Sequence, residues 1–441
     1  MGKDDGSGEK VKGHILFVIK FFYKGTLVLI GATALFFLRI VFPIFKIRIG
    51  RLEHLRIGEL GSNTELFLRR RTRFHRKGMG INIFVSGKPV NRQLLKMIQR
   101  RLIVWESNFL VKIYDNLRPL TNSSPIWIDL SFRVNEYDEY NNIPPQLYFT
   151  VQEKDRGQKL LEQMGIKKGT PFVCFQARDR SYLDQAYPQG KNLWRHNDFR
   201  DCDIKNYLPA VNYLAEQGIY SLRMGTVVAE ALPENIPPRV IDYATKFRSD
   251  FGDIYLPAHC KFFLGNTSGI RYMSTLFNVP IIQANSVPLG DAPLLKKDLF
   301  IPKKYWSREK RRYLTFKEII ELQLDWDRIW PPKAGLQLSF WDLLSMNKVQ
   351  EKRLIKMPFE ELGIEIIENT AKEILAVTQE MNERLDGKCC TTPEDEERQQ
   401  SFRNLFPPGN HTYGFPSRIG ADFLRQNQEL LADVMETRCV T

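Results

Sequence analysis

Five small or polar residues, Gly265-Asn-Thr-Ser-Gly269, separate the apolar run 261–264 from apolar positions at Ile270, Met273, Leu276 and Phe277. That pattern reads as a buried strand, a turn and a helix start. Such a turn offers backbone N–H groups, hydroxyls and the positive end of a helix, and phosphate suits all three. An ordinary strand-to-helix turn capped by Asn, Thr or Ser is the competing account. Two other strand ends carry residues of matching chemistry: Ala177-Arg-Asp-Arg180 and Arg223-Met-Gly225. Arginine grips phosphate oxygens in pairs, and glycine lets the backbone approach closely. Ligands of open α/β sheets bind outside the carboxyl ends of the strands, so the three segments define one expected pocket.

The elements that must position these residues alternate between strand and helix. Short strands are expected at 45–49, 54–57, 81–85 and 126–130, with 58–61 as a turn and helices over 65–71 and 91–105. Residues 137–148 read as a loop and 151–164 as a helix. Strands at 172–176, 220–224, 239–243, 261–264 and 279–282 follow. A helix spans the apolar positions Ile204, Tyr207, Leu208, Val211 and Leu214, with Pro209 in its first turn. Residues 364–385 read as one helix, 387–416 as a linker and 418–435 as a final helix. The alternation predicts parallel sheets flanked by helices, two such units joined near residues 145–170. The expected divisions are an anchor segment at 1–45, an N-terminal lobe at 46–165, a C-terminal lobe at 166–350 and C-terminal helices with a linker at 351–441.

The charge is uneven. Of a net +13 over 441 residues, the stretch 46–120 holds 17 Lys or Arg against 5 Asp or Glu. A block of this kind implies an anionic partner. Just before it lies an apolar segment, 15–45, whose longest uncharged run is 25–38. Counted through Arg39 it is long enough to cross a bilayer, and it equally fits a helix lying in the membrane plane. Membrane contact is therefore expected, with an anionic membrane surface as partner and the body of the protein on the cytoplasmic side. The six cysteines have no metal-site spacing and no Cys-x-x-Cys, which suits a reducing compartment.

Taken together, Arg56-Ile-Gly-Glu-Leu-Gly-Ser-Asn, Phe175-Gln-Ala-Arg-Asp, Asp198-Phe-Arg-Asp, Arg223-Met-Gly, Phe262-Phe-Leu-Gly-Asn-Thr-Ser-Gly and Ser417-Arg-Ile-Gly-Ala-Asp-Phe-Leu-Arg-Gln-Asn resemble motifs of a bacterial family of GT-B-type glycosyltransferases. The resemblance spans roughly residues 46–435. It implies two Rossmann-like lobes facing a cleft, the first holding an acceptor and the second a nucleotide-sugar. By that analogy Arg178, Arg223, Ser268 and Gly269 steady the departing diphosphate, with Gly225 and Thr267 also in the donor site. Asp253 and Asn266 contact base, ribose or sugar, with a helix-cap role for Asp253 equally open. A base must take the acceptor's proton; Glu59 is the first candidate, with Asp179, His54 and Asp129 as rivals. The expected partners are a nucleotide-sugar and a glycan or glycolipid acceptor, with no cofactor and no metal. Asp201-Cys-Asp203 and Asp325-Trp-Asp327 mimic a metal-binding Asp-x-Asp, but neither follows a clear buried strand.

Two other classes compete. A non-catalytic membrane protein binding a carbohydrate or partner accounts for the same fold. Nucleic-acid binding fits the basic block less well, because its aromatics are spaced like core residues rather than interleaved for stacking. No Walker loop and no GxGxxG is present, which argues against nucleotide hydrolysis and dinucleotide redox chemistry.

Overall fold

The computed structural model describes residues 6–73, 80–121, 124–130, 136–186, 195–322, 324, 358–389, 391–408, 410 and 412–432. The first lobe is a parallel sheet of β1 (Arg48–Arg51), β2 (Asn82–Ser86), β3 (Ile103–Glu106) and β4 (Trp127–Ile128), in the order β3-β2-β1-β4. Its helices are α1 (Gly6–Val41), α2 (Ile57–Arg73), α3 (Arg92–Gln99) and α4 (Asn108–Leu117). The second lobe contains β5 (Phe172–Phe175), β6 (Tyr220–Arg223), β7 (Val240–Ile241), β8 (Phe263–Gly265), β9 (Ile281–Ser286) and β10 (Leu299–Pro302). With a strand at Arg418–Ile419 these form a seven-stranded parallel sheet, ordered 418–419, β10, β9, β8, β5, β6, β7. Strand order reverses between β5 and β8, so the crossovers leaving those two strands run in opposite directions and open a crevice at their carboxyl ends.

Alternation of side chains along β5 explains how the lobes meet. Val173 and Phe175 belong to the core on one face of the sheet. Phe172 and Cys174 face the other way and share one continuous apolar cluster with Leu60, Leu68, Phe84 and Leu94 of the first lobe. The two lobes are thus packed on each other through a continuous apolar cluster.

Several expectations are corrected. Residues 54–57 are not a strand and 58–61 are not a turn; both glycines lie inside α2 and are buried. A Cβ on Gly58 would sit 2.8 Å from the Gly269 Cα, and one on Gly61 2.8 Å from the Met273 Cε. Here glycine serves close helix packing, so its turn signal misleads. Residues 137–148 contain a helix, Tyr137–Asn142. The 91–105 segment divides into α3 and β3, and 364–385 into a strand, Ile364–Ile367, and a helix, Ala371–Leu385. Inside the expected linker lies a helix at Pro393–Asn404, started by a Thr392/Asp395 capping box. The expected final helix is a short strand and the helix Ala421–Gln426 followed by a 3₁₀ turn at Gln428–Leu431; 433–435 lie outside the described residues. The C-terminal region completes the second lobe's sheet rather than trailing from it.

One side chain ties these parts together. Arg69 of α2 is fully buried and bonds Glu65 through Nε at 2.8 Å. Its Nη1 donates to the carbonyls of Glu139, Tyr140 and Ile143, and its Nη2 to the Leu276 carbonyl and Asn278 Oδ1, the last two both at 2.9 Å. Glu65 in turn accepts the N–H groups of Gln146 and Leu147. The first lobe, the segment joining the lobes and the second lobe therefore converge on one guanidinium–carboxylate pair. Arg69→Met leaves Glu65 charged and buried and strands several carbonyls. The expected loss is about 3–5 kcal/mol, read as a lower urea midpoint. Arg73→Met, removing a longer ion pair with Asp138 on exposed side chains, should change the midpoint little. Equal effects of the two substitutions would contradict this assignment.

Candidate functional site

At the carboxyl ends of β5 and β8 the backbone and side chains are cross-linked. Asn266 Oδ1 accepts the Arg178 N–H at 3.2 Å, and its Nδ2 donates to the Arg200 carbonyl at 2.6 Å. Ser268 Oγ donates to Gln176 Oε1 at 2.8 Å. Thr267 Oγ1 lies 3.2 Å from Asp291 Oδ2. The side chains of the Gly265–Gly269 turn are thus spent on holding its shape. The backbone N–H groups of Thr267, Ser268 and Gly269 make no hydrogen bond among the described residues. The helix that follows is a single turn, Tyr272–Thr275, so the expected helix dipole contributes little.

Cations take over that role. Arg178 leaves β5 and pairs with Asp201. Burial pushes its guanidinium down to about 10. Arg200 arrives on the 3₁₀ segment Arg195–Arg200. Burial, then the charges of Arg178, Arg56 and Arg271, press its guanidinium well below the usual arginine range, and Asp291 opposes them only in part. Arg271, buried, bonds Asp291 at 3.0 Å, and its Nε has no acceptor among the described residues. Lys303 follows β10 and donates to the Asp201 carbonyl at 2.6 Å; burial lowers its pKa. Arg56 comes from the first lobe, just before α2, where it pairs with Glu59 at 3.0 Å. Five cations from five separate segments so surround the crevice of the strand-order reversal. Clustered like charges in a half-dry site raise the energy of the empty protein, and an anion lowers it.

Of the expected donor-site residues, Arg178, Asn266, Thr267, Ser268 and Gly269 lie together here. Gly269 abuts Gly58, which brings the start of α2 against the turn. Arg223 is directed elsewhere: buried, it bonds the Glu230 carbonyl and Asp242, tying β6 to β7. Gly225 accommodates a tight turn, since a Cβ there would meet Val228 Cγ1 at 2.8 Å. Asp253 is neither a cap nor an open contact. It lies in the first turn of the helix Gly252–His259, only 1% exposed, between Arg248 and the Tyr243 hydroxyl. Burial pushes its carboxyl up to about 6.

Among the candidate bases, Asp179 is occupied: Oδ1 accepts the Ser181 N–H and Oδ2 the Ala229 N–H. His54 is buried with its Nδ1 3.2 Å from the Leu52 carbonyl, and Asp129 is exposed beyond β4. Glu59, half-exposed in the first turn of α2, remains next to Arg56. Asp203 caps a 3₁₀ turn through the Lys205 N–H, while Asp201 faces Arg178; Asp325 and Asp327 lie outside the described residues. No metal-ligand cluster occurs among the described residues.

Sequence reasoning missed Arg56, Arg200, Arg271 and Lys303 as site residues. Arg56 and Arg200 stood inside motifs already singled out, one residue before α2 and within Asp198-Phe-Arg-Asp. Arg271 and Lys303 carried no signal, because nothing in their local sequence separates a site cation from a surface one.

No family model matches the sequence, and no curated protein sequence does. Three solved structures resemble the fold distantly. The Escherichia coli ADP-heptose LPS heptosyltransferase II is 13% identical, with a TM-score of 0.40, covering 71% of this chain and 99% of that one. A glycosyl transferase family 9 protein from Veillonella parvula is 10% identical, with a TM-score of 0.37, covering 54% and 80%. The E. coli heptosyltransferase WaaC with ADP is 11% identical, with a TM-score of 0.31, covering 58% and 91%. Likenesses this distant do not decide the chemistry.

The cationic cluster generates a two-sided prediction. Arg200→Met should raise the melting temperature of the ligand-free protein while abolishing its stabilisation by nucleoside diphosphates. A lower melting temperature with diphosphate binding unchanged would refute the anion-site assignment.

Proposed function

We propose that this protein is a glycosyltransferase. It moves a sugar from a nucleotide-sugar donor to a lipid-linked or surface-polysaccharide acceptor, at the cytoplasmic face of a membrane. One observation carries the reading: four guanidinium groups and a lysine meet at the point where strand order reverses, beside three backbone N–H groups that make no hydrogen bond among the described residues. A diphosphate carries the charge and the oxygens to satisfy them.

In this reading the acceptor oxygen bonds to the sugar's anomeric carbon as the bond from that carbon to the diphosphate oxygen breaks. The acceptor proton goes to Glu59, and the electron pair leaves with the diphosphate. Arg178, Arg200, Arg271 and the 267–269 N–H groups take up the charge that develops there, which is where most of the rate enhancement arises. Arg56 holds Glu59 in place from the first lobe. Cationic side chains supply the neutralisation that a metal supplies elsewhere, so the reaction proceeds without one. The apolar helix α1 and the free thiols of Cys174, Cys202, Cys260 and Cys389 support the membrane-side, reducing setting.

A second reading, a nucleotide-binding protein without catalysis, draws on one fact: Asp179, Asp291 and Glu59 are all engaged by donors already. Turnover separates the two. A panel of UDP-, GDP-, ADP- and CMP-sugars should raise the melting temperature of the purified protein, undiminished by EDTA, and membrane fractions should consume the stabilising sugar. Glu59→Gln should lower kcat by about 10²-fold or more while leaving nucleotide-sugar affinity within a few-fold. Binding without turnover by the unaltered protein would favour the second reading. No stabilisation by any nucleotide would refute both.

A further inference from the structure

The helix α1 has two faces with different neighbours. Leu27, Gly31 and Leu35, spaced four apart, are buried. A Cβ on Gly31 would meet Ile113 Cγ2 at 2.8 Å and Leu117 Cδ2 at 3.0 Å, so the glycine lets α1 press closely on α4. Leu35 packs with Leu117 and Ile126, and the Lys112 amino group lies 5.5 Å from the Tyr23 ring. This contact runs beside the whole of α4, ten residues or about 15 Å.

The opposite face is bare. Phe22 is 68% exposed, Leu29 69% and Ile40 58%. At about 100° per residue these three fall on one line along the helix. Phe36 and Phe37 flank that line, and Ile44 and Phe45 continue the exposed apolar strip past the helix end. An apolar surface of that extent is not left to water. Exposed Arg39, Lys46 and Lys112 border it. Much of the basic block at 46–120 is not available for this purpose, because Arg51, Arg69, Arg70, Arg92 and Arg100 are held in ion pairs within the protein.

We infer that α1 lies in the plane of an anionic bilayer leaflet, lipid against the Phe22–Leu29–Ile40 face and α4 against the other, and does not cross the membrane. The segment Phe21–Val41 is long enough to span. Spanning, however, would draw α4 into the hydrocarbon with it, including Lys112 and the Asp115 that pairs with Arg51. Each such charge costs about 2.5–3.5 kcal/mol at membrane depth. An in-plane helix leaves those groups at the headgroup level and needs only the bare face to be buried. The inference rests on the membrane-side part of the proposed function, but not on catalysis.

The test is the depth of nitroxide labels in the full chain. Phe22→Cys, Leu29→Cys and Ile40→Cys are labelled one at a time, with Cys389, Cys390 and Cys439 replaced by Ser. Each is bound to phosphatidylcholine vesicles with or without about a third phosphatidylglycerol. Oxygen and nickel-chelate accessibilities should place all three labels at one shallow depth, about 5–10 Å below the headgroups, with binding weakened in neutral vesicles. A label deep at residue 29 and shallow at 22 and 40 would mean a spanning helix and overturn the inference. Three water-exposed labels would overturn it as well. Nucleotide-sugar turnover, measured in detergent on the same labelled proteins, is expected regardless of depth; its absence counts against the enzyme and not against the membrane geometry.

Discussion

A single buried guanidinium sets the geometry of this molecule. Arg69 reaches an acidic side chain on its own helix, three carbonyls of the segment 139–143 and two oxygens beyond the 272–275 turn of the second lobe. With so many acceptors fixed around it, α2 can be rotated or slid only by leaving several of them unsatisfied. The amino end of the same helix lies thirteen residues away, about 20 Å at 1.5 Å per residue. There it presents Arg56 and Glu59 to the crevice of the other lobe. The structural pair and the candidate site are two ends of one rigid rod, with Gly58 and Gly61 allowing it to seat against the second lobe.

The crevice is an unfavourable arrangement without a ligand. Arg178 and Arg200 are both driven down from their ordinary proton affinity, first by burial. Gathering these charges costs stability in the ligand-free protein, the cost that an anion in the crevice would offset. Asp201, Asp291 and Glu59 orient the cations, and Asn266 locks the two strand ends to the loop that carries Arg200.

Much of this was legible beforehand. Buried strands such as 172–175 and 220–223 announce themselves by unbroken apolar runs ended by turn residues, whereas the strand order and its reversal between β5 and β8 come from the structure. The Gly265–Gly269 turn was visible as a small-residue break. Three things were hidden. Glycines at 58 and 61 look like a turn locally, and only the neighbouring lobe shows why they belong to a helix. Arg223 and Arg178 end equivalent strands with the same side chain, yet the first meets Asp242 and the second the crevice, a distinction made by partners remote in sequence. Arg271 and Lys303 acquire their role from burial, which no local pattern records.

The central claim is that the rod of α2 and the strand ends of the second lobe together form a diphosphate pocket. The most direct measurement is a crystal structure of the full chain soaked with the nucleoside diphosphate that stabilises it most. The account predicts phosphate oxygens within hydrogen-bond distance of Arg178, Arg200 and the backbone N–H groups of residues 267–269, with Arg56 closing over them. A diphosphate seated outside that crevice, with those arginines unmoved and untouched, would contradict it.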